Sequence, residues 1–239
     1  MCKKKCMARR DVRYLIVLAG GSGTRMGGPV PKQFMMLGGK PVLRRTIDRF
    51  REFDEDFRII LVLPPDKRRM WLDYCDSSNY LIGPYVAVPG GMTRFHSVRN
   101  ALKYVAPGAL VAVHDGVRPF PPLEMLERIF SLSEKHPAVC PAIKVSDTLR
   151  RLEMNSDGLY CSGNIDRSGV YMIQTPQVFH SEILLDAYRL PYSEAYTDDA
   201  SVVEDYGCRV LYTEGSKSNI KLTTPDDMSI AESRLLISG

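Results

Sequence analysis

Short apolar runs alternate with amphipathic and polar stretches along this chain of 239 residues. The apolar runs predict β-strands at residues 12–18, 58–63, 110–114, 137–143 and 208–213. Because these runs are almost continuously apolar, we expect a mostly parallel sheet with helices on both faces. The pattern therefore predicts an α/β fold with a doubly wound, Rossmann-like sheet that binds ligands at the carboxyl ends of its strands.

Three of the intervening helices have recognisable ends. Apolar side chains recur at i, i+3, i+4 and i+7 over residues 93–105. A second helix begins at the Thr-Asp-Asp sequence of residues 197–199 and ends at Gly207. The last helix takes Thr224 as its N-cap and Pro225 at its first position.

One segment, at about residues 144–174, breaks this alternation. It is polar, shows no helical periodicity and contains an Asp157-Gly158 turn signal. We interpret it as a β-hairpin arm that projects from the domain. An exposed hairpin is marginally stable alone, so we expect it to pack against a second subunit of a homodimer.

Charge and hydropathy narrow the class of protein. The net charge is +4, but the first ten residues hold five basic and no acidic side chains, so the other 229 residues carry a net charge of −1. We interpret residues 1–10 as a disordered basic tail, with Met7 as an alternative start, and residues 11–239 as a single domain. Without a basic body, a nucleic-acid partner is not expected. The longest apolar run has six residues, whereas a membrane-spanning helix needs about 20.

The six cysteines show neither a CxxC pair nor zinc-finger spacing. Cys140 and Cys208 lie in strand-like runs, where a small buried apolar role is expected. This usage predicts a reducing, cytoplasmic compartment.

A glycine-rich turn, AGGSGTRM at residues 19–26, follows the first predicted strand. It is neither a Walker A loop nor a dinucleotide fingerprint, which would need glycine in place of Met26 and an acid near Pro41. By itself it is equally well a plain loop. Arg25 and Lys32 are spaced to converge on one polyphosphate, although in isolation Lys32 also fits a solvated surface lysine.

The central predicted strand ends in His114 and Asp115. There Asp115 can hold a substrate hydroxyl or Mg²⁺, and Arg118 can hold an anion; the alternative is a turn in which Asp115 caps the next helix. For His114, a structural hydrogen-bonding role is favoured over acid–base or metal chemistry. Cations, a glycine-rich loop and few acids together indicate nucleotidyl or phosphoryl transfer.

These pieces, in this order, resemble the 2-C-methyl-D-erythritol 4-phosphate cytidylyltransferases of the non-mevalonate isoprenoid pathway. The matching stretches are AGGSGTRM (19–26), PKQF (31–34), GGMTRFHSV (90–98), VHDGVRP (113–119), DTLRR (147–151), DRS (166–168), QTPQVF (174–179), TDDASVVE (197–204) and NIKLTTPDD (219–227). Several spaced motifs in register are far more specific than any one of them.

The resemblance implies a nucleotidyltransferase that moves CMP from CTP to the methylerythritol phosphate and releases pyrophosphate. Mg²⁺ would bind chiefly through the nucleotide phosphates, with Asp115 as its protein ligand. Catalytic roles are implied for Arg25, Lys32, Arg167 and Lys221. Nucleotide binding is implied for Ala19, Gly20, Gly21, Gly23, Gly90 and Ser97. Positioning of the sugar phosphate is implied for Asp115, Arg118, Thr148, Arg167, Thr175 and Lys221. The family's arm reaches across a homodimer, so Arg167 would serve the partner's active site.

Two departures leave an alternative substrate. The first loop has Ala-Gly-Gly where the family often has Ala-Ala-Gly, and HDGVRP replaces the usual HDAARP. Both resemble the ribitol 5-phosphate cytidylyltransferases, whereas DTLRR and DRS in the arm resemble the methylerythritol branch. We expect the arm to decide, because it carries residues for the variable substrate. Two other classes of protein are less well supported. A nicotinamide-dependent oxidoreductase fits the sheet, but the chain lacks the dinucleotide-binding fingerprint. A non-catalytic nucleic-acid-binding protein is supported by the basic tail alone.

Overall fold

The computed structural model of the chain describes residues 11–20, 30–158 and 160–237. The predicted basic tail of residues 1–10 lies outside them. The strands are β1 (Arg13–Leu18), β2 (Met36–Leu37), β3 (Lys40–Pro41), β4 (Arg58–Leu63), β5 (Tyr85–Pro89), β6 (Leu110–Asp115), β7 (Ala138–Lys144), β8 (Arg150–Met154), β9 (Tyr160–Asn164), β10 (Tyr171–Ile173), β11 (Gln177–His180) and β12 (Leu211–Glu214). The helices are α1 (Val42–Phe53), α2 (Arg68–Ser77), α3 (Arg94–Leu102), α4 (Leu123–Ser133), α5 (Ser181–Ala187), α6 (Asp199–Asp205) and α7 (Pro225–Ile237).

Eight strands form the central sheet. Along one path the order is β10-β7-β11-β6-β1-β4-β5, and β12 pairs with the other edge of β7. The neighbours β5, β4, β1 and β6 are parallel, whereas β11 runs antiparallel to both β6 and β7. The predicted mostly parallel α/β sheet is thus confirmed, and the carboxyl ends of β1, β4, β5 and β6 share one edge.

Two apolar layers cover the two faces of this sheet. Along β1, Tyr14 and Ile16 pack on one face, and Leu15 and Val17 pack on the other. Helices α3, α5 and α6 cover the first face, while α1, α2 and α4 cover the second. Strands buried on both sides need apolar residues at every position, which explains their unbroken runs.

The predicted elements are found with small shifts. The helix predicted over residues 93–105 is α3, with Thr93 as its N-cap. Gly207, with φ of +91°, follows α6 as predicted, and Thr224 caps α7 by accepting from the Asp227 N–H. The last strand begins at Leu211, not at residue 208, because the Cys208 N–H is used to close the end of α6 on the Val203 carbonyl.

The hairpin lies within the segment predicted for it. β8 and β9 pair antiparallel from Arg150↔Asn164 to Met154↔Tyr160, and Gly158 takes a φ of +76° in the connecting turn. Residues 171–173 are not part of the hairpin, because β10 pairs with β7 in the central sheet. In the described part of the chain, every helix is too short or too polar to cross a membrane.

Candidate active site

The carboxyl ends of β1, β4 and β5 meet in a corner of bare backbone. Ala19 donates its N–H to the Val62 carbonyl at 2.9 Å, and Gly90 donates to the Leu63 carbonyl at 2.8 Å. A Cβ atom on Gly20 would lie 3.6 Å from the Gly90 Cα. The two glycine backbones are therefore close neighbours, and a ligand can approach their peptide groups directly.

The predicted phosphate loop begins directly after this corner. Its assigned residues Gly21, Gly23 and Arg25 lie outside the described residues. The short 3-10 helix Lys32–Phe34 comes back to the corner. There Gln33 Nε2 donates to the Ala19 carbonyl at 2.7 Å. This buried hydrogen bond holds the neighbouring Lys32 beside the end of β1.

The Gly90-Gly91 turn leads into α3. Gly91 donates its N–H to Ser97 Oγ at 3.0 Å, and Thr93 accepts the His96 N–H at the start of the helix. A Cβ atom on Gly91 would lie 2.4 Å from the His96 Cβ, so only glycine fits. The turn is thus held in one shape, with Ser97 nearly buried beneath it.

Strand β6 ends in an acid that is surrounded by cations. Asp115 Oδ2 lies 3.0 Å from Lys221 Nζ and 3.2 Å from Arg118 Nε. Burial favours the neutral acid, but the charges of Lys221 and Arg94 outweigh it and hold the pKa of Asp115 below its usual range. Arg118 Nη1 also donates to the Asn219 carbonyl at 2.8 Å. An ionised Asp115 therefore joins β6 to the loop that carries Lys221.

His114 is fully buried next to Asp115. Its Nε2 lies 3.0 Å from the Arg118 carbonyl, so this nitrogen carries the proton, and its Nδ1 accepts from the Thr175 hydroxyl at 3.1 Å. Thr175 Oγ1 in turn accepts the Asp115 N–H at 3.1 Å. Burial lowers the pKa of His114 to about 4, so the ring is neutral at pH 7. His114 thus has a structural role, and the Thr175 hydroxyl supports Asp115. The substrate contact expected for Thr175 stays a prediction.

The linker between β10 and β11 holds the turn that precedes Lys221. Gln174 Nε2 donates to the Ser216 carbonyl at 2.8 Å, and its Oε1 accepts the Ser216 N–H at 3.0 Å. Asn219 Nδ2 donates to the Thr175 carbonyl at 2.8 Å. Gln174 belongs to the QTPQVF motif, yet nothing in the sequence indicates that it supports the turn before Lys221.

Arg94, at the start of α3, also lines the site, and sequence reasoning missed it. Its Nη2 donates to Asp199 Oδ2 at 2.6 Å, and the buried Asp199 also accepts from the Tyr188 hydroxyl at 2.5 Å. Burial disfavours the charged guanidinium, but Asp199 outweighs this and raises the pKa of Arg94. The GGMTRFHSV and TDDASVVE motifs, whose paired residues are 105 positions apart, meet here.

These groups enclose a cleft of about 490 Å³. Its described lining residues are Leu18, Ala19, Gly20, Lys32, Gln33, Gly91, Met92, Thr93, Arg94, Ser97, Asp115, Val117 and Lys221. Among them, the charged side chains are three cations, Lys32, Arg94 and Lys221, and one carboxylate, Asp115. Cations and bare peptide groups at strand ends suit a polyphosphate ligand.

Thr148 and Arg167 lie at the base of the hairpin. They line a separate depression of about 390 Å³ that shares no lining residue with the cleft. Arg167 is exposed and donates to the Ser146 carbonyl. Within one described chain, Arg167 on the arm and the cations of the cleft therefore lie on different surfaces.

In the described part of the cleft, Asp115 is the one carboxylate that could contribute to holding a divalent ion. Within residues 11–20, 30–158 and 160–237, no group of three or more His, Cys, Asp or Glu side chains is arranged to hold a metal. Mg²⁺ typically binds through one or two carboxylates plus substrate phosphates. The ionised Asp115, which lies beside the cations and bare peptide groups of the cleft, is consistent with this mode of Mg²⁺ binding.

A mostly parallel α/β sheet with cations, bare backbone and one carboxylate at its strand ends fits an enzyme of the nucleotidyltransferase class. A family model described as "IspD: 2-C-methyl-D-erythritol 4-phosphate cytidylyltransferase" matches residues 13–236. The chain belongs to this family of 2-C-methyl-D-erythritol 4-phosphate cytidylyltransferases.

Individual relatives agree. A 2-C-methyl-D-erythritol 4-phosphate cytidylyltransferase of Phocaeicola vulgatus is 46% identical over 92% of this chain and 98% of its own length, and that of Bacteroides thetaiotaomicron is 45% identical with the same coverage. Among solved structures, the 4-diphosphocytidyl-2C-methyl-D-erythritol synthase of Anaerococcus prevotii has a TM-score of 0.76 at 31% identity, covering 96% of this chain and all of that one.

The chain is thus a cytidylyltransferase of isoprenoid biosynthesis, and the methylerythritol interpretation is confirmed over the ribitol 5-phosphate alternative. The arm motifs DTLRR and DRS pointed to the correct branch, whereas the departures in the first loop and in HDGVRP pointed away from it. The expectation that the arm decides the substrate agrees with this family assignment, and the roles of its residues stay a prediction.

Proposed function

We propose that the cleft at the carboxyl ends of β1, β5 and β6 is the place where this chain binds CTP and transfers CMP to 2-C-methyl-D-erythritol 4-phosphate, with release of pyrophosphate. The observation that carries the proposal is that Gly20, whose backbone packs against that of Gly90, lines one cleft together with Lys32, Asp115 and Lys221. These residues are distant in sequence, and the fold brings them to one sheet edge.

The nucleotide occupies the side formed by β1, β5 and α3. Gly90 and Ser97 lie near the cytosine, since a flat ring can approach a turn without side chains. The phosphates extend past the Gly20 backbone toward Lys32. Lys32, held by its neighbour Gln33, reaches the α-phosphate from the other wall.

The methylerythritol phosphate occupies the side formed by β6 and the loop before α7. Lys221 is about half exposed and carries the positive charge that this side offers to an anion. Asp115 sets the position of the Lys221 ammonium group, and Arg118 fixes the loop. The carboxylate also remains available to a hydroxyl of the sugar chain.

Two anions must meet in this reaction, because the substrate phosphate attacks the α-phosphate of CTP. Asp115 would hold Mg²⁺ together with the CTP phosphates, and the ion would there supply neutralisation of phosphate charge. Lys32 and Arg25 stabilise the additional negative charge that develops on the pentacoordinate α-phosphate. The protein contributes by position and charge and provides no covalent intermediate.

Each active site contains residues from two chains of a homodimer. All residues of β8 are exposed, and they include the apolar side chains of Leu152 and Met154. A second apolar surface, with Tyr171 and Tyr212 exposed, borders a cavity of about 990 Å³ along the end of β7. If a partner's arm packs against the surface with Tyr171 and Tyr212, the apolar side chains of this surface and of the arm are both covered. The same packing would bring the partner's Arg167 to the substrate phosphate.

We also place this enzyme in the cytoplasm. Within the described residues, Cys75, Cys140 and Cys208 are free thiols. Burial raises the pKa of the Cys140 thiol well above its usual value, so it behaves as a small apolar residue, as expected from its strand. Free thiols of this kind are typical of a reducing compartment.

The proposal is tested by pyrophosphate release from CTP and Mg²⁺ with a panel of polyol phosphates. We expect release to require both an acceptor and a divalent ion, and kcat/KM for 2-C-methyl-D-erythritol 4-phosphate to exceed that for ribitol 5-phosphate by at least about tenfold. Full activity after exhaustive chelation would contradict the metal requirement. A preference for ribitol 5-phosphate would contradict the substrate.

A further inference from the structure

Asp199 is a buried carboxylate outside the cleft that the reaction does not use directly. It is the first residue of α6 and is fully shielded from solvent. Its two oxygens accept from Arg94 at 2.6 Å and from the Tyr188 hydroxyl at 2.5 Å. A buried carboxylate is costly unless it is paired, so this arrangement calls for a reason.

Its partner Arg94 has one side in the protein and one in the cleft. The Arg94 side chain is about 30% exposed, and it lines the cleft on the same wall as Met92 and Ser97. An arginine has five N–H donors, and the bond to Asp199 uses one nitrogen. The remaining donors are therefore available to a ligand while the guanidinium is held in a single place.

Three further contacts hold the residues around Asp199 and Arg94 in place. Gln177 Nε2 donates to Asp198 Oδ2 at 2.7 Å, and its Oε1 accepts the Ala200 N–H at 2.9 Å, so the start of α6 is locked to β11. The Tyr188 ring stacks on Phe95, the residue that follows Arg94, with ring centres 4.7 Å apart. Helix α6 and helix α3 are thus joined at the point where Arg94 enters the cleft.

We propose that Asp199 is a positioning residue of the nucleotide site, which acts by holding Arg94 in place to bind CTP. The proposal rests on the proposed function of the cleft. Arg94 binds a polar group of the nucleotide, and Asp199 with Tyr188 removes the conformational freedom that Arg94 would otherwise lose on binding. Asp199 touches no ligand itself.

The test compares Asp199→Asn with Asp205→Asn, both alone and in an Arg94→Ala background. Asp205 is a matched control, because it lies on the same helix and accepts a tyrosine hydroxyl, that of Tyr196 at 2.6 Å, on the exposed surface. CTP affinity is measured by calorimetry with Mg²⁺, and KM and kcat by pyrophosphate release. Thermal unfolding reports whether each variant folds.

We expect Asp199→Asn to raise KM and Kd for CTP about tenfold with kcat changed less than about twofold, and Asp205→Asn to match the wild type. In the Arg94→Ala background, Asp199→Asn adds no further loss, because its effect passes through Arg94. The proposal is overturned if Asp199→Asn leaves the KM for CTP at the wild-type value. It is also overturned if Asp199→Asn raises this KM by the same factor in the Arg94→Ala background as in the wild type.

A second variant covers the case in which Asp199→Asn does not fold. Tyr188→Phe keeps the ring on Phe95 and removes only the hydroxyl bond to Asp199. It is expected to raise KM for CTP about two- to threefold, and only when Arg94 is present. An unchanged KM overturns the proposal, whereas a wild-type protein that binds no CTP refutes the proposed function instead.

Discussion

The cleft and the base of the hairpin arm both carry residues that we assign to the same reaction, but they are built in opposite ways. In the cleft, Asp115 and Arg118 are nearly buried and bonded to each other and to the loop of Lys221. At the arm, Arg167 is exposed and Thr148 lines an open depression. A charge held by several buried bonds is ready for its ligand, whereas an exposed arginine loses conformational freedom when it binds.

This difference indicates how the work is divided. Nucleotidyl transfer needs charge fixed where the transition state forms, and the rigid end of the sheet provides it. In the proposed homodimer, the substrate phosphate receives its cation from the partner's arm, which needs no core of its own. Stability and active-site completion are thereby separated, and each region can be tested without the other.

The largest effect is expected from the cleft. Lys32→Ala removes one fixed charge from the transition state and should lower single-turnover rates about 10² to 10³-fold, with a much smaller change in CTP affinity. Lys40→Ala is the control, because Lys40 follows the same segment but is paired with Asp48 at 3.2 Å. A rate within a few-fold of wild type for Lys32→Ala would show that Lys32 has no catalytic role.

The arm is tested by mixing subunits. Lys32→Ala and Arg167→Ala homodimers should each be nearly inactive, because each lacks one cation in both sites. Co-refolded in equal amounts, about half the dimers are heterodimers, in which one site carries both changes and the other carries neither. Activity should then recover to about one quarter of wild type if the sites act independently.

The control for this experiment mixes the two homodimers without refolding, which should restore nothing. Arg151→Ala, a change at an exposed arginine of β8, replaces Arg167→Ala in a parallel series and should reduce activity little. If verified heterodimers remain as inactive as their parents, Arg167 acts within its own chain, and the division of work between cleft and arm fails.

The two regions also differ in how well the sequence predicts them. Strands β1, β4, β6 and β7 are predicted because burial on both faces demands unbroken apolar runs. The central strand β11 was missed, because its four buried residues include the polar Gln177 and His180. Edge strand β5 was missed, because only Val88 of its five residues is buried and the pattern is correspondingly weak. The hairpin was predicted from the absence of helical periodicity and from one turn, although its limits required the pairing of β10 with β7.

Within the site, the sequence predicts which residues matter better than it predicts their partners. Asp115 and Lys221 were both assigned to the substrate, and the structure adds their 3.0 Å ion pair. The bond between Arg94 and Asp199 was not foreseen, because two charged residues far apart in sequence leave no periodic signal. Thr175 shows the reverse, since its assigned hydroxyl is bonded to His114 and Asp115 within the fold.

The last expected effect is on stability and concerns the buried His114 at the end of β6. His114 has a pKa of about 4 in the fold against an ordinary value of 6.5, so the unfolded chain binds the extra proton first as the pH falls. Stability is therefore highest above pH 6.5 and decreases between pH 6.5 and 4, by about 3 kcal/mol from this residue. The lowered pKa of Asp115 acts in a separate range, because its contribution is lost only below its ordinary value of 3.8.

His114→Gln removes this titration while retaining an amide that can donate to the Arg118 carbonyl. In denaturant unfolding at fixed protein concentration, we expect the wild type to lose stability from pH 7 to pH 4.5 more steeply than His114→Gln. The exposed His136, changed to Gln, serves as the control and should leave the slope of the wild type intact. Equal slopes for all three proteins would mean that His114 is already solvated in the fold. The buried hydrogen bonds around His114 would then not explain the position of Asp115 at the end of β6.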